Sequence, residues 1–258
     1  MKLFYRKSGD GKPLIILHGI LGMSDNWMTL SKQFAEAGFL VYAVDARNHG
    51  RSPWADEFNY GVMAEDILEL IVGDNLKQAS VIGHSMGGKT AMFLACQHPE
   101  KISKLIVADK SPKEYPIENK SVIEALESID ISSIKSRKEV ESNLRESLNE
   151  ATVQFLLKNL YWVTGASGEQ QLAWRFNSEV IKRNVLKMGE ALPNNFHFNG
   201  PTLFLKGERS PYVTDGDTEL IKNHFPNAII ETVPKAGHWI HSENPTYFME
   251  AALRFLNF

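Results

Sequence analysis

One cysteine, Cys96, in 258 residues leaves no partner for an intramolecular disulfide and too few thiolates for a structural zinc site. Its default reading is a buried structural thiol. No apolar run approaches the roughly 20 residues that a membrane-spanning helix needs, so stable membrane insertion is not expected. Residues Met1 to Asp10 are too polar for a signal-peptide core, and the apolar run that follows is only Leu14 to Leu17. A cytoplasmic setting is therefore the expectation. Neither sign of charge dominates: 28 Lys and Arg against 31 Asp and Glu give a net charge of −3. A nucleic acid would find no global basic field to bind. Internal repeats and low-complexity segments are lacking as well. The 43% of hydrophobic residues is enough for one sizeable core, which excludes disorder.

Short β-rich apolar runs recur at Leu14–Leu17, Leu40–Val44, Ser80–Ile82, Leu105–Ala108, Thr202–Leu205 and Ala228–Ile230. Most are continuous rather than alternating, as expected of strands buried on both faces. Between them lie amphipathic stretches of helical length: Asn26–Ala37, Tyr60–Leu76, Met86–His98 and Pro245–Phe258. Alternating strand and helix predicts an α/β fold, a mostly parallel sheet with helices on both faces. The alternation breaks between Pro112 and Pro201, where no strand is evident. Helical patterns at Ser121–Ile129, Lys138–Leu148, Thr152–Leu160 and Glu179–Met188 fill the gap. The domain reading is a core of residues 1–111 and 200–258 with a helical cap at 112–199. Beginning at the C-terminal end of a strand, the cap would sit over the edge where α/β folds bind ligands.

Gly83-His84-Ser85-Met86-Gly87-Gly88-Lys89-Thr90 satisfies two patterns at once. Gly83 to Gly87 is G-x-S-x-G, a nucleophile elbow; Gly83 to Thr90 is G-x-x-x-x-G-K-T, a phosphate-binding loop. Both need a strand before and a helix after, and Leu105–Asp109 even resembles a strand ending in a magnesium-binding aspartate. Three other places weigh against a nucleoside triphosphatase. Leu17-His18-Gly19-Ile20-Leu21-Gly22 follows the first clear strand, where glycines let backbone amides turn toward a substrate oxygen. Ala236-Gly237-His238-Trp239 follows the last strand, where a loop can return a histidine to the elbow. Two strands with helices precede the glycine-rich segment, whereas nucleotide-binding folds usually place theirs early. A phosphate-loop enzyme has no use for His18-Gly19 or His238; a serine hydrolase needs both.

With these motifs the chain resembles the α/β-hydrolase superfamily along nearly its whole length. Four blocks in order, Asp45 to Ser52, Gly83 to Lys89, Ser210 to Val213 and Gly237 to His241, look like the small bacterial acyl esterases and thioesterases and their mitochondrial relatives. The resemblance implies an eight-stranded core with room for a clipped first hairpin, a helical lid, and hydrolysis of carboxylic esters or acyl thioesters. It implies Ser85 as nucleophile and His238 as general base and then acid. It also implies Asp109 as the acid at the end of its strand, where many superfamily members use the later loop, here Gly207 to Pro211 followed by Asp215 and Asp217. Ser210 stands where that later acid is expected, and its hydroxyl can still support the ring. The oxyanion amides would be Met86 and Ile20, with Leu21 one residue away, in the turn built by His18 and Gly19.

The blander readings are also explicit. Ser85 could be a helix cap and Asp109 a loop cap. Lys89 would be a helix-surface lysine, and His49, His98, His197 and His224 solvated. Asn48 and His49 would brace a loop by bonding backbone, and His84 fills the elbow's variable position. His238 and His241 make an H-x-x-H spacing without further ligands, so neither metal nor cofactor is expected. Phe155, Tyr161, Trp162, Trp174 and Phe176 would mainly pack the cap, some of them lining an acyl pocket. The partner is a small acyl ester or thioester, and a non-catalytic ligand receptor on the same scaffold is a third possibility.

Overall fold

A computed structural model describes residues 1–116, 120–165 and 168–257. The strands are β1 (Tyr5–Ser8), β2 (Lys12–Leu17), β3 (Phe39–Val44), β4 (Ala79–His84), β5 (Ile102–Ala108), β6 (Leu160–Thr164), β7 (Gln170–Trp174), β8 (Thr202–Gly207) and β9 (Ala228–Val233). The helices before β5 are α1 (Met28–Glu36), α2 (Tyr60–Gly73) and α3 (Met86–Gln97). Between β5 and β8 lie α4 (Lys120–Glu127), α5 (Arg137–Arg145), α6 (Glu150–Leu157) and α7 (Ser178–Arg183). The chain ends with α8 (Thr218–His224), α9 (Ile240–Glu243) and α10 (Pro245–Asn257). Phe258, the last residue of the helix predicted from sequence, lies outside the described residues.

The central sheet has seven strands in the order β1-β3-β2-β4-β5-β8-β9, all parallel except β1, which runs antiparallel to β3. Against the eight strands of the expectation, one short strand precedes β2, as a clipped first hairpin leaves it. Alternate residues of each strand feed opposite cores. In β2, Ile15 and Leu17 join the cluster under α2, α3 and α8, while Leu14 and Ile16 join Phe34 and Phe248 under α1 and α10. The predicted continuous apolar runs follow from this burial on both faces.

The stretch between β5 and β8, here the insert, is not purely helical. Leu160–Thr164 and Gln170–Trp174 pair as an antiparallel hairpin, a correction to the strand-free reading. The alternation there is weak because only Leu160, Leu172 and Trp174 are buried, against Val140, Leu144, Val153 and Leu156 of the helices. That third cluster also takes in Tyr60, Met63 and Met86, so the insert packs on the tops of α2 and α3. Among the described residues no helix is long and apolar enough to cross a membrane.

Candidate active site

Adjacent parallel strands end along one edge of the sheet, and each hands the chain to a turn there. Strand β2 leads into His18–Gly22, β4 into Ser85, β5 into Asp109, β8 into Ser210 and β9 into the loop carrying His238. Four residues of these turns, Leu21 (φ 59°), Ser85 (φ 53°), Asp109 (φ 52°) and Lys235 (φ 57°), adopt left-handed backbone that side chains rarely tolerate. For Ser85 the conformation is a sharp strand-to-helix reversal. A Cβ on Gly83 would lie 2.2 Å from the Gly87 carbonyl oxygen, and one on Gly87 would lie 2.5 Å from that of Leu17, so both positions must lack one. The Ser85 side chain makes no capping bond to α3, which removes the helix-cap reading.

Asp109 is fully buried. Its Oδ1 accepts the Gly207 amide N–H (2.9 Å), and its Oδ2 accepts both His238 Nδ1–H (2.8 Å) and the Ser210 hydroxyl. The Tyr212 amide donates to Ser210 Oγ (3.2 Å), which leaves the hydroxyl proton for the carboxylate. The Tyr212 ring lies flat on His238, centroids 3.8 Å apart and planes at 18°. With its Nδ1–H held by a carboxylate, the His238 ring is fixed in the tautomer whose Nε2 can accept a proton. Asp215 is elsewhere: it is exposed and pairs with Lys206, while Asp217 caps Thr214 and meets Lys113 at 2.8 Å. The later-loop alternatives for the acid are thereby separated from the histidine.

Two amides of the turn after β2 are engaged within the protein. The Leu21 N–H donates to His49 Nε2 (3.1 Å) and the Gly22 N–H to the Gly19 carbonyl (3.0 Å). Leu21 is thus committed inside the protein, whereas Met86, first residue of α3, has an N–H with no intrahelical acceptor. A Cβ on Gly19 would stand 3.3 Å from Ser85 Cβ, so the turn closely approaches the elbow. His18 Nε2 accepts the Ala46 N–H (3.0 Å) and its Nδ1–H donates to the Gly19 carbonyl (2.7 Å). The loop after β3 supports this turn through backbone bonds: Asp45 takes the Ser24 and Arg51 amides, and Asn48 exchanges two bonds with Ala55. The insert reaches the same turn, for the Asn159 side-chain amide donates to the Leu21 carbonyl (2.9 Å). No local pattern in the sequence marks Asn159, since its partner lies 138 residues away.

A cavity of about 350 Å³ joins these parts. Gly19, Ile20, Ser85, His238 and Trp239 line it from the core, and Val122, Phe155 and Leu156 from the insert. Of the insert's aromatics, Phe155 faces the cavity, its ring 5.6 Å from Trp239. Trp174 and Phe176 stack on each other in the insert's core, Tyr161 lies under Arg175, and Trp162 is exposed.

Several side chains differ from their sequence-based placement. His49 and His224 are buried rather than solvated, while His197 is exposed and His98 half-buried. Cys96 is only half-buried, and burial pushes its thiol up to about 12, which keeps it protonated and unreactive. Lys89 is fully buried, and its Nζ donates to the carbonyls of Pro112 (3.1 Å), Lys113 (2.8 Å) and Glu190 (2.9 Å). A lysine turned inward onto three carbonyls is not presented to a phosphate, which overturns the phosphate-loop reading of Gly83–Thr90. Among the described residues no group of three or more His, Cys, Asp or Glu could hold a metal.

Burial holds His18, His49, His84 and His241 below the usual 6.5, down to about 3 for His49 and His241. His84, further lowered by His241 and His238 nearby, donates its Nε2–H to the His238 carbonyl (2.9 Å). These rings stay neutral in the folded protein, while the unfolded chain protonates them below about 6.5. The unfolded state then binds more protons, so stability is whole above that pH and falls as pH drops toward 3. His49 and His241 each cost about 1.4 kcal/mol per pH unit in that window. Urea-unfolding midpoints measured from pH 7 to 4.5 are expected to fall steadily, with a shallower fall for His49→Gln. A midpoint that stays level over this range would contradict the neutral-ring assignment.

Residues 12–128 match the family described as alpha/beta hydrolase fold. The chain belongs to the α/β-hydrolase family, in its esterase group, and is a hydrolase. It is 37% identical to the sn-1-specific diacylglycerol lipase ABHD11 of Mus musculus over 94% of this chain and 80% of that protein. It is 32% identical to Esterase YbfF of Escherichia coli, over 96% of this chain and 94% of the relative. Among solved structures, a marine microorganism esterase superposes with a TM-score of 0.93 at 43% identity, covering 99% of both chains.

Proposed function

We propose that this protein hydrolyses carboxylic esters or acyl thioesters of small molecules through an acyl-enzyme on Ser85. The observation that carries this reading is the hydrogen bond from His238 to the buried Asp109, beside the cavity holding the strained Ser85. His238 Nε2 removes the Ser85 proton as Oγ attacks the acyl carbon. The negative charge that develops on the carbonyl oxygen is taken by the amides of Met86 and Ile20, since that of Leu21 is spent on His49. Imidazolium, stabilised by Asp109, then protonates the departing oxygen or sulfur. Water, deprotonated by the same ring, attacks the acyl-Ser85 carbonyl, and Ser85 leaves with the proton. Ser210 supports this chemistry by fixing the carboxylate, and His18 and Gly19 by shaping the turn. The insert acts as a cap over residues 112–199, and Phe155, Leu156 and Val122 give it an apolar wall for the acyl group. The relatives' names, esterase and lipase, agree in the bond they cleave.

A fluorophosphonate probe is expected to add once per chain, on Ser85, and to fail with Ser85→Ala. Labelling that persists in that variant, or none on a preparation that turns over aryl esters, would refute the acyl-enzyme. A panel of acyl chain lengths on both aryl esters and acyl-CoA thioesters identifies the leaving atom and the pocket length.

A further inference from the structure

Lys89 lies one helical turn beyond Ser85, and its amide N–H closes the first bond of α3 on the Ser85 carbonyl (3.0 Å). Its side chain turns away from the cavity. The three N–H bonds of an ammonium meet three carbonyls, those of Pro112 and Lys113 where the chain enters the insert and that of Glu190 where it leaves. The two crossings are also tied to each other: the Tyr115 N–H donates to the Gly189 carbonyl and the Leu192 N–H to that of Pro112, each at 2.8 Å. They run so close that a Cβ on Gly189 would lie 2.4 Å from the Tyr115 carbonyl oxygen. The Tyr115 ring adds an aromatic face 5.4 Å from Nζ.

From this geometry we infer that Lys89 clamps both necks of the insert to the nucleophile helix and thereby sets the shape of the acyl pocket. A buried ammonium is tolerated only while its acceptors stay in place. Any swing of the insert about its necks withdraws carbonyls from Nζ and strands the charge. The clamp therefore opposes that swing and keeps Val122, Phe155 and Leu156 over Ser85, although Lys89 touches nothing in the cavity. Lys89 is a positioning residue, and this role rests on the acyl-pocket reading proposed above.

Lys89→Met keeps the apolar stem and removes all three donors. Hydrogen exchange is expected to accelerate about tenfold at the Tyr115 and Leu192 amides, while β4 and β5 amides change less than about twofold. For long acyl esters kcat/KM is expected to fall about tenfold, mainly through KM, while fluorophosphonate modification of Ser85 stays within about twofold of wild type. Unchanged exchange at the two neck amides overturns the clamp. So does an acceleration spread evenly over the sheet, which would make Lys89 an ordinary core residue. Should Lys89→Met fail to fold, Gly189→Ala, which forces the necks apart from the insert's side, decides by the same two measurements. Failure of the probe to label wild-type Ser85 would sink the acyl-enzyme alone, because neck exchange is read without any turnover.

Discussion

Ser85→Ala is expected to lower kcat on a simple aryl ester by about 10⁴- to 10⁶-fold and to leave the fold as it is. In the proposed acyl-enzyme mechanism the lost hydroxyl carries the attacking electron pair. Its removal breaks no bond of the fold, because the side chain makes no cap on α3. His238→Ala is expected to cost about as much, since a hydroxyl without its base is as inert as no hydroxyl. The double variant should then be hardly slower than either single one, the non-additivity of groups that act as a unit. Steady-state rates together with thermal unfolding check this. A Ser85→Ala protein within about tenfold of wild type would mean that another group attacks the acyl carbon.

The next largest effect is expected from Asp109→Asn, about 10⁴-fold in kcat. Asparagine fits the site, keeps an oxygen for the Gly207 amide and turns its NH₂ toward His238 Nδ1. The ring must then accept at Nδ1 and carry its proton on Nε2, the tautomer that cannot take the Ser85 proton. Imidazolium would also form without a counter-charge. The defect should therefore lie in kcat far more than in KM, with fluorophosphonate labelling slowed in parallel. Asp215→Asn is the control: its carboxylate is exposed on Lys206, and a change above about twofold is not expected. If Asp215→Asn proved the slower enzyme, the carboxylate that serves His238 would lie in the loop after β8.

Much of the architecture was legible because it repeats along the chain. The six apolar runs from Leu14 to Ile230 are all strands; the central ones are buried on both faces and leave a continuous apolar signature, while the edge strand β9 leaves Ile229 exposed. The short β1 was not legible: Tyr5–Ser8 is a partly exposed edge strand with mixed polarity. The hairpin from Leu160 to Trp174 escaped for a related reason, as its outer residues face solvent and its inner ones meet a helical core. The motifs around Ser85 and His18 were readable because both depend on local turns. Lys89 was misread because helical periodicity says which residues share a face but not what the insert brings to that face.

The amino-acid order alone determined the alternation of strand and helix, the elbow at Ser85, the glycine turn after the second strand and the late histidine, all consequences of short-range backbone and side-chain geometry. Which carboxylate meets His238, which amide of the turn is already engaged, and where Lys89 points depended on groups far apart in the chain. Asp109 and His238 are 129 residues apart, and Lys89 and Glu190 are 101. Such pairings form only when parallel strands end side by side and the insert folds back on them, because no local conformational preference encodes a contact between distant segments.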